Sequence, residues 1–193
     1  MARVGILGGT FDPPHAAHAA MAATARAGLG LSAVYLMPAL APPHKRTSGP
    51  SAYSHRRAMA EIAALDLDGV KVSRFEEGRE GPSFTVDMLR SYRAATGDEL
   101  FFIMGGDSLL ELGSWSRPQE LLQLCTVVVF PRAGSPIRLD VPGPAAIVVI
   151  EAPAIDVSSS QIRHRVRAGE PVDAMVAPGV LAYIREHALY SNP

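Results

Sequence analysis

The sequence predicts an α/β fold, a doubly wound, Rossmann-like parallel sheet with helices on both faces. Three observations predict it. Short apolar runs alternate with stretches of good helix formers along the whole chain. Several runs, among them residues 126–130 and 146–150, are β-branched and apolar without polar alternation, as strands covered on both faces require. The first run stops at Gly8-Gly9, a turn that leads into an alanine-rich stretch.

In chain order, residues 4–7 form the first strand, and the alanine-rich stretch to about Ala27 is a helix on propensity. Residues 33–37 read as a strand, 53–65 as a helix, 70–73 as a strand and 85–95 as a helix. Residues 100–104 are a strand running into Gly105-Gly106, and residues 118–124 are helical. After the strands at 126–130 and 146–150, two helices at about 159–168 and 178–187 close the chain. Two long irregular stretches, 38–52 and 74–83, stand out, because loops of that length in a compact domain are commonly functional. In such sheets ligands sit beyond the carboxyl ends of the strands, where these connections emerge.

A chain of 193 residues fits one domain, and 48% hydrophobic with 19% charged residues is ordinary for a globular protein. There is no internal repeat and no domain boundary, so residues 1–193 are expected to form a single domain. One cysteine, Cys125, excludes an intrachain disulfide framework and a cysteine-based zinc site; its apolar neighbours predict a buried, unreactive thiol. The apolar stretch 16–41 is interrupted by His18, Arg26, two glycines and Pro38, which argues against a membrane span. The start of the sequence, where Arg3 is followed shortly by a Gly-Gly turn, is not expected to be a signal peptide, and a cytoplasmic protein is expected.

Net charge is −1, which argues against a general nucleic-acid binder. The distribution is less even. No acidic residue lies between Asp12 and Glu61, a stretch that holds Arg26, Lys45, Arg46, Arg56, Arg57 and the histidines 15, 18, 44 and 55. A locally positive region on a near-neutral chain suits a small anionic ligand, or else a solvated basic face.

The first strand-to-helix turn reads Gly8-Gly9-Thr10-Phe11-Asp12-Pro13-Pro14-His15-Ala16-Ala17-His18. Its glycines let the backbone approach a ligand, and the following helix presents N–H groups to an anion. It is neither a P-loop nor a G-x-G-x-x-G turn. His15 and His18, three apart, share a helical face. They read best as two donors aimed at phosphate oxygens, with a zinc pair lacking its third ligand or two structural histidines as the alternatives. Near the other end, Ser158 and Gln161 have capping-box spacing. Ser159, Ser160 and the first-turn N–H groups are then expected to face outward with Arg163 one turn on, a phosphate cradle.

Together these two motifs resemble the nucleotidyltransferase superfamily, which pairs an H-x-G-H turn after its first strand with a late serine-rich helix start. The similarity is closest to the bacterial nicotinate-nucleotide adenylyltransferase family and covers nearly the whole chain. Further similar segments are Pro42-Pro43-His44-Lys45, the helix start at 54–59, and Gly81-Pro82-Ser83-Phe84-Thr85-Val86-Asp87. Later ones are residues 102–109 with Trp115, Pro131-Arg132, and residues 180–190 with the pairs Tyr183-Ile184 and Leu189-Tyr190. Two positions depart from the pattern: Ala17 stands where the family has glycine, and Ser160 where it has threonine. The methyl of Ala17 bears on the fine geometry of the nucleotide site, whereas Ser160 keeps the hydroxyl.

The resemblance implies adenylyl transfer from ATP to nicotinic acid mononucleotide, giving the dinucleotide and pyrophosphate in NAD biosynthesis. It implies that His18 donates to the α-phosphate with His15 beside it, and that Lys45 reaches the phosphates. Gly8, Gly9, Thr10 and Phe11 would lie along the nucleotides, while Ser158, Ser159, Ser160 and Arg163, in the C-terminal helices, would complete the ATP site. Gly105, Asp107 and Arg132 would add further ATP contacts, Asp107 at a ribose or nearby polar edge. Trp115 would stack on the pyridine ring, with Lys45, Ser83, Phe84 and main-chain N–H groups at Thr85 and Ser116 around the mononucleotide. Magnesium would arrive with ATP, because no carboxylate cluster is evident to cage it. Other acceptors, nicotinamide mononucleotide or phosphopantetheine, remain alternatives, as does a silent nucleotide-binding sensor. A fragment related to class I aminoacyl-tRNA synthetases fits poorly, with no tRNA-binding domain evident. A homo-oligomer is left open.

Overall fold

The computed structural model describes residues 1–42, 50–131, 146–151 and 155–191. Six strands form one parallel sheet: β1 (Arg3–Gly9), β2 (Ala33–Pro38), β3 (Val70–Val72), β4 (Glu99–Gly105), β5 (Thr126–Phe130) and β6 (Ile147–Val149). Their order is β3-β2-β1-β4-β5-β6, so the winding reverses between β1 and β4. That reversal is the doubly wound topology, and it opens a crevice at the carboxyl ends of those two strands. Seven α-helices are described: α1 (Ala16–Leu29), α2 (Tyr53–Ala64), α3 (Thr85–Thr96), α4 (Gly106–Glu111), α5 (Pro118–Leu124), α6 (Ser159–Arg167) and α7 (Pro178–Glu186).

The central strands are apolar at successive positions because alternate residues feed two cores. From β4, Leu100, Phe102 and Met104 pack with Val86 and Leu89 of α3. Phe101 and Ile103 point the other way, into a cluster with Ala22 and Ala25 of α1. Val127 and Val129 against Val128 and Phe130 divide β5 in the same manner. A third cluster joins α2 through Met59 to Ile162 of α6 and Val180, Leu181 and Ile184 of α7. This last cluster brings the C-terminal helices back beside the first turn of the chain.

Most expected elements are present with ends shifted by one or two residues. The strands expected at 70–73 and 146–150 shorten to three residues each, and both are edge strands paired on one side only. Helix α4 and a 3-10 turn (Leu112–Ser114) were not expected. They fold because Leu109 and Leu112 are buried on the core, which overrides the weak helical signal of a Gly- and Ser-rich stretch. Cys125 is buried, and desolvation pushes its thiol up to about 12, as expected for an inert group.

Candidate active site

A cleft of about 540 Å³ opens at the carboxyl ends of β1, β4 and β5. Its wall includes Gly8, His15 and His18 from the first turn and α1, Gly105 and Asp107 after β4, Trp115, and Ser158 at the start of α6. The two motifs, some 140 residues apart in sequence, thus meet across one crevice. Ala17 also lines it.

The first turn is shaped by packing beneath it. Phe11 adopts a left-handed backbone (φ 52°), a costly conformation for a bulky residue, and its ring is buried in the core. A Cβ on Gly9 would come within 3.1 Å of that ring, and one on Gly8 within 3.2 Å of Phe102. A side chain at either glycine would thus press on an aromatic ring packed under the turn. Any contact between Phe11 and a ligand is left to its main chain.

His15 caps α1, and His18, in the third helical position, reaches back to it. The N–H of His15 donates to Nδ1 of His18 at 3.2 Å, and the two rings stack at 3.7 Å. An imidazole that accepts at Nδ1 carries its proton on Nε2 when neutral. Burial, and then the proximity of His15, hold the pKa of His18 well below the usual histidine value. His18 is accordingly a neutral donor through Nε2. Phe11 supports the ring edge-on at 4.9 Å.

On the opposite motif, Ser158 caps α6 by accepting from the N–H of Gln161 at 3.2 Å. The expectation that Ser159 faces outward does not hold: its hydroxyl donates to the Pro13 carbonyl at 2.8 Å. Arg163 reaches the same turn, donating to the Asp12 carbonyl at 2.7 Å and to the Ser160 hydroxyl at 3.2 Å. Ser160 itself is exposed.

Trp115 is half-buried, packed on the core and edge-on to Phe102 at 6.2 Å. Ser83, Phe84, Thr85 and Ser116 lie outside the cleft wall proper, as do Gly9, Thr10, Ser159, Ser160 and Arg163. Ser83 joins the two long loops, donating its N–H to the Ala41 carbonyl and accepting the Ala41 N–H at its hydroxyl, both at 3.0 Å. Phe84 precedes α3 and Thr85 opens it. Asp87, in the first turn of α3, pairs with Arg117 at 2.6 Å, which holds that helix start beside the Trp115-Ser116 segment. Lys45 and Arg132 lie outside the described residues.

Of the positive stretch, His15 and His18 line the cleft, whereas the described arginines do not, and His44, Lys45 and Arg46 lie outside the described residues. Arg26 pairs with Asp68, and Arg57 with Glu61 and Glu77. Arg56 is buried (1% exposed) and donates to the carbonyls of Ser51, Thr10, Ala39 and Leu40 at 2.8–3.3 Å. Those guanidinium groups hold the fold and are not on the cleft wall. Sequence reasoning missed Arg56, although a cation that must be buried has one visible acidic neighbour in this region, Asp12. Among the described residues, no three His, Cys, Asp or Glu side chains are grouped so as to hold a metal ion, and no helix is long and apolar enough to cross a membrane.

A profile of the cytidylyltransferase-like family matches residues 6–165. A protein of Geobacillus kaustophilus, named "Probable nicotinate-nucleotide adenylyltransferase", is 39% identical over 191 residues, 98% of this chain and 87% of its own. A Bacillus pumilus protein of the same name is 36% identical over the full length of both chains. Among solved structures, Plasmodium falciparum nicotinic acid mononucleotide adenylyltransferase complexed with NaAD shares the fold, with a TM-score of 0.82 over 98% of each chain at 19% identity. The same enzyme complexed with APC gives 0.80 at 17% identity, again over 98% of each.

Proposed function

We infer the chemistry of this cleft from one premise: the chain belongs to the cytidylyltransferase-like family, among its bacterial nicotinate-nucleotide adenylyltransferases. It transfers the adenylyl group of ATP to nicotinic acid mononucleotide, a step of NAD biosynthesis. A phosphate oxygen of the mononucleotide attacks the α-phosphorus of ATP, the bond from that phosphorus to the bridging oxygen breaks, and pyrophosphate leaves with its electron pair. The nucleophile is already an anion at neutral pH, so no activated serine, cysteine or carboxylate base is required. Catalysis is then alignment plus charge neutralisation, with alignment supplying roughly 7–11 kcal/mol and each well-placed donor about 3 kcal/mol.

The observation that carries this reading is His18, fixed as an Nε2–H donor on the first turn of α1 at the wall of the cleft. Its hydrogen bond strengthens as charge builds on the α-phosphate. His15 lies beside it on the triphosphate, and the α1 N-terminus adds partial positive charge. Arg163, Ser160 and the start of α6 take ATP phosphates, so that residues 1–193 act as one nucleotidyltransferase domain completed by its C-terminal helices. Asp107 and Gly105 lie toward the nucleoside, and Lys45 and Arg132 add charge from outside the described residues.

The pyridine ring stacks on Trp115, and its carboxylate meets the N–H groups of Thr85 and Ser116. The Asp87–Arg117 ion pair supports this arrangement by keeping the two amides on adjoining segments. Magnesium would come with the triphosphate and would offset part of its charge. The wall carries two histidines and two carboxylates, Asp107 and Asp156, but among the described residues no three such side chains are grouped to cage a resident hard cation, so the metal would come with the phosphates. Soluble nucleotide substrates and a single buried thiol suit a cytoplasmic enzyme.

Incubation with ATP, magnesium and each acceptor in turn tests the assignment. The expected products with nicotinic acid mononucleotide are the dinucleotide and pyrophosphate in equal amounts, with no transfer to phosphopantetheine. Transfer to phosphopantetheine alone, or to no acceptor, would contradict it.

A further inference from the structure

Asp12 is buried (4% exposed) in the turn that leads to His15 and His18. Both its oxygens are engaged: Oδ1 accepts the Tyr190 hydroxyl at 2.7 Å, and Oδ2 accepts the N–H of Ser51 at 3.2 Å. The carbonyls of the same turn are also taken. Thr10 receives Arg56 at 2.9 Å, Asp12 receives Arg163 at 2.7 Å, and Pro13 receives Ser159 at 2.8 Å. Helices α2 and α6 and the segment after α7 therefore all converge on residues 10–13.

Tyr190 is the most distant of these donors, 178 residues from Asp12 in sequence. Its backbone is left-handed (φ 66°), and its ring packs on the cluster that joins α2 to α7. Burial, and then the Asp12 charge, push its pKa up, so the hydroxyl stays a donor throughout the working range. The ring thus belongs to the C-terminal core, whereas the hydroxyl belongs to the turn.

We propose that Tyr190 is a positioning residue for adenylyl transfer, whose hydroxyl latches the C-terminal segment to Asp12 and fixes the turn that carries His15 and His18. The proposal rests on the functional reading above for its consequence in turnover, and on the hydrogen-bond geometry alone for the latch. Aligned catalysis is sensitive to small displacements, with about 1 Å capable of costing a hundredfold. One lost bond to a charged acceptor, with the ring packing retained, should fall short of that.

Tyr190→Phe in the full chain tests it, because the ring stays and only the hydroxyl goes. Hydrogen exchange at the amides of residues 10–18 should speed up about tenfold, kcat should fall about tenfold, and KM for both substrates should change less than about threefold. Exchange in that turn within twofold of the wild type overturns the latch. Faster exchange with unchanged kcat overturns the positioning role, and an equal loosening of the whole chain makes Tyr190 a general stability residue and overturns it too. If the wild type itself transfers no adenylyl group, the functional reading fails, while the exchange result still decides the latch.

Discussion

On the proposed reading the chemistry of the site centres on His18, whose neighbours favour its neutral form. With Nδ1 occupied by the His15 N–H, a second proton on the ring would set two donors against each other. His18→Ala should lower kcat about a hundredfold, ~3 kcal/mol, with little change in ATP affinity, because the proposed bond to the α-phosphate would matter most in the transition state. A kcat within a fewfold of wild type would remove His18 from that role. The same residue gives stability a pH dependence of definite sign. Its folded pKa lies below the unfolded value of about 6.5, so the unfolded chain takes up the proton first as pH falls. Its contribution is complete above about pH 6.5 and declines as pH drops toward the folded pKa, by at most ~1.4 kcal/mol per pH unit. Urea unfolding at several pH values should show this slope in the wild type and its loss in His18→Ala. Parallel curves would mean that His18 is not held neutral.

Among the elements, α6 and the first turn form one unit through Arg163. Its planar guanidinium spans the Asp12 carbonyl and the Ser160 hydroxyl, a fork that a lysine ammonium cannot reproduce. Arg163→Lys should raise the ATP KM about tenfold while circular dichroism stays unchanged. An unaltered ATP profile would place the phosphate cradle elsewhere. The elements themselves were largely legible, because runs such as residues 126–130 must be strands buried on both faces. Helix α4 was not, since its stability comes from Leu109 and Leu112 meeting a core that sequence periodicity does not display. Within the site, the histidine turn and the Ser158 cap could be read because each is local. The inward turn of Ser159, the burial of Arg56 and the Tyr190–Asp12 bond could not, since their partners lie 146, up to 46, and 178 residues away.

The whole molecule places the two halves of its sheet on either side of one crevice. The β1/β4 reversal sets the histidine turn beside Trp115, and the C-terminal helices return to brace the turn from behind. On this account the pyridine substituent is read by main-chain N–H groups, which satisfy a carboxylate but leave the NH₂ end of a carboxamide facing donors. Each such mismatch costs about 1–3 kcal/mol, so two of them favour the acid by on the order of tens to thousands. The most direct test is kcat/KM for nicotinate and nicotinamide mononucleotides, measured side by side with saturating ATP and magnesium. The account predicts a preference for the acid of at least tens-fold; equal values for the two mononucleotides would contradict it.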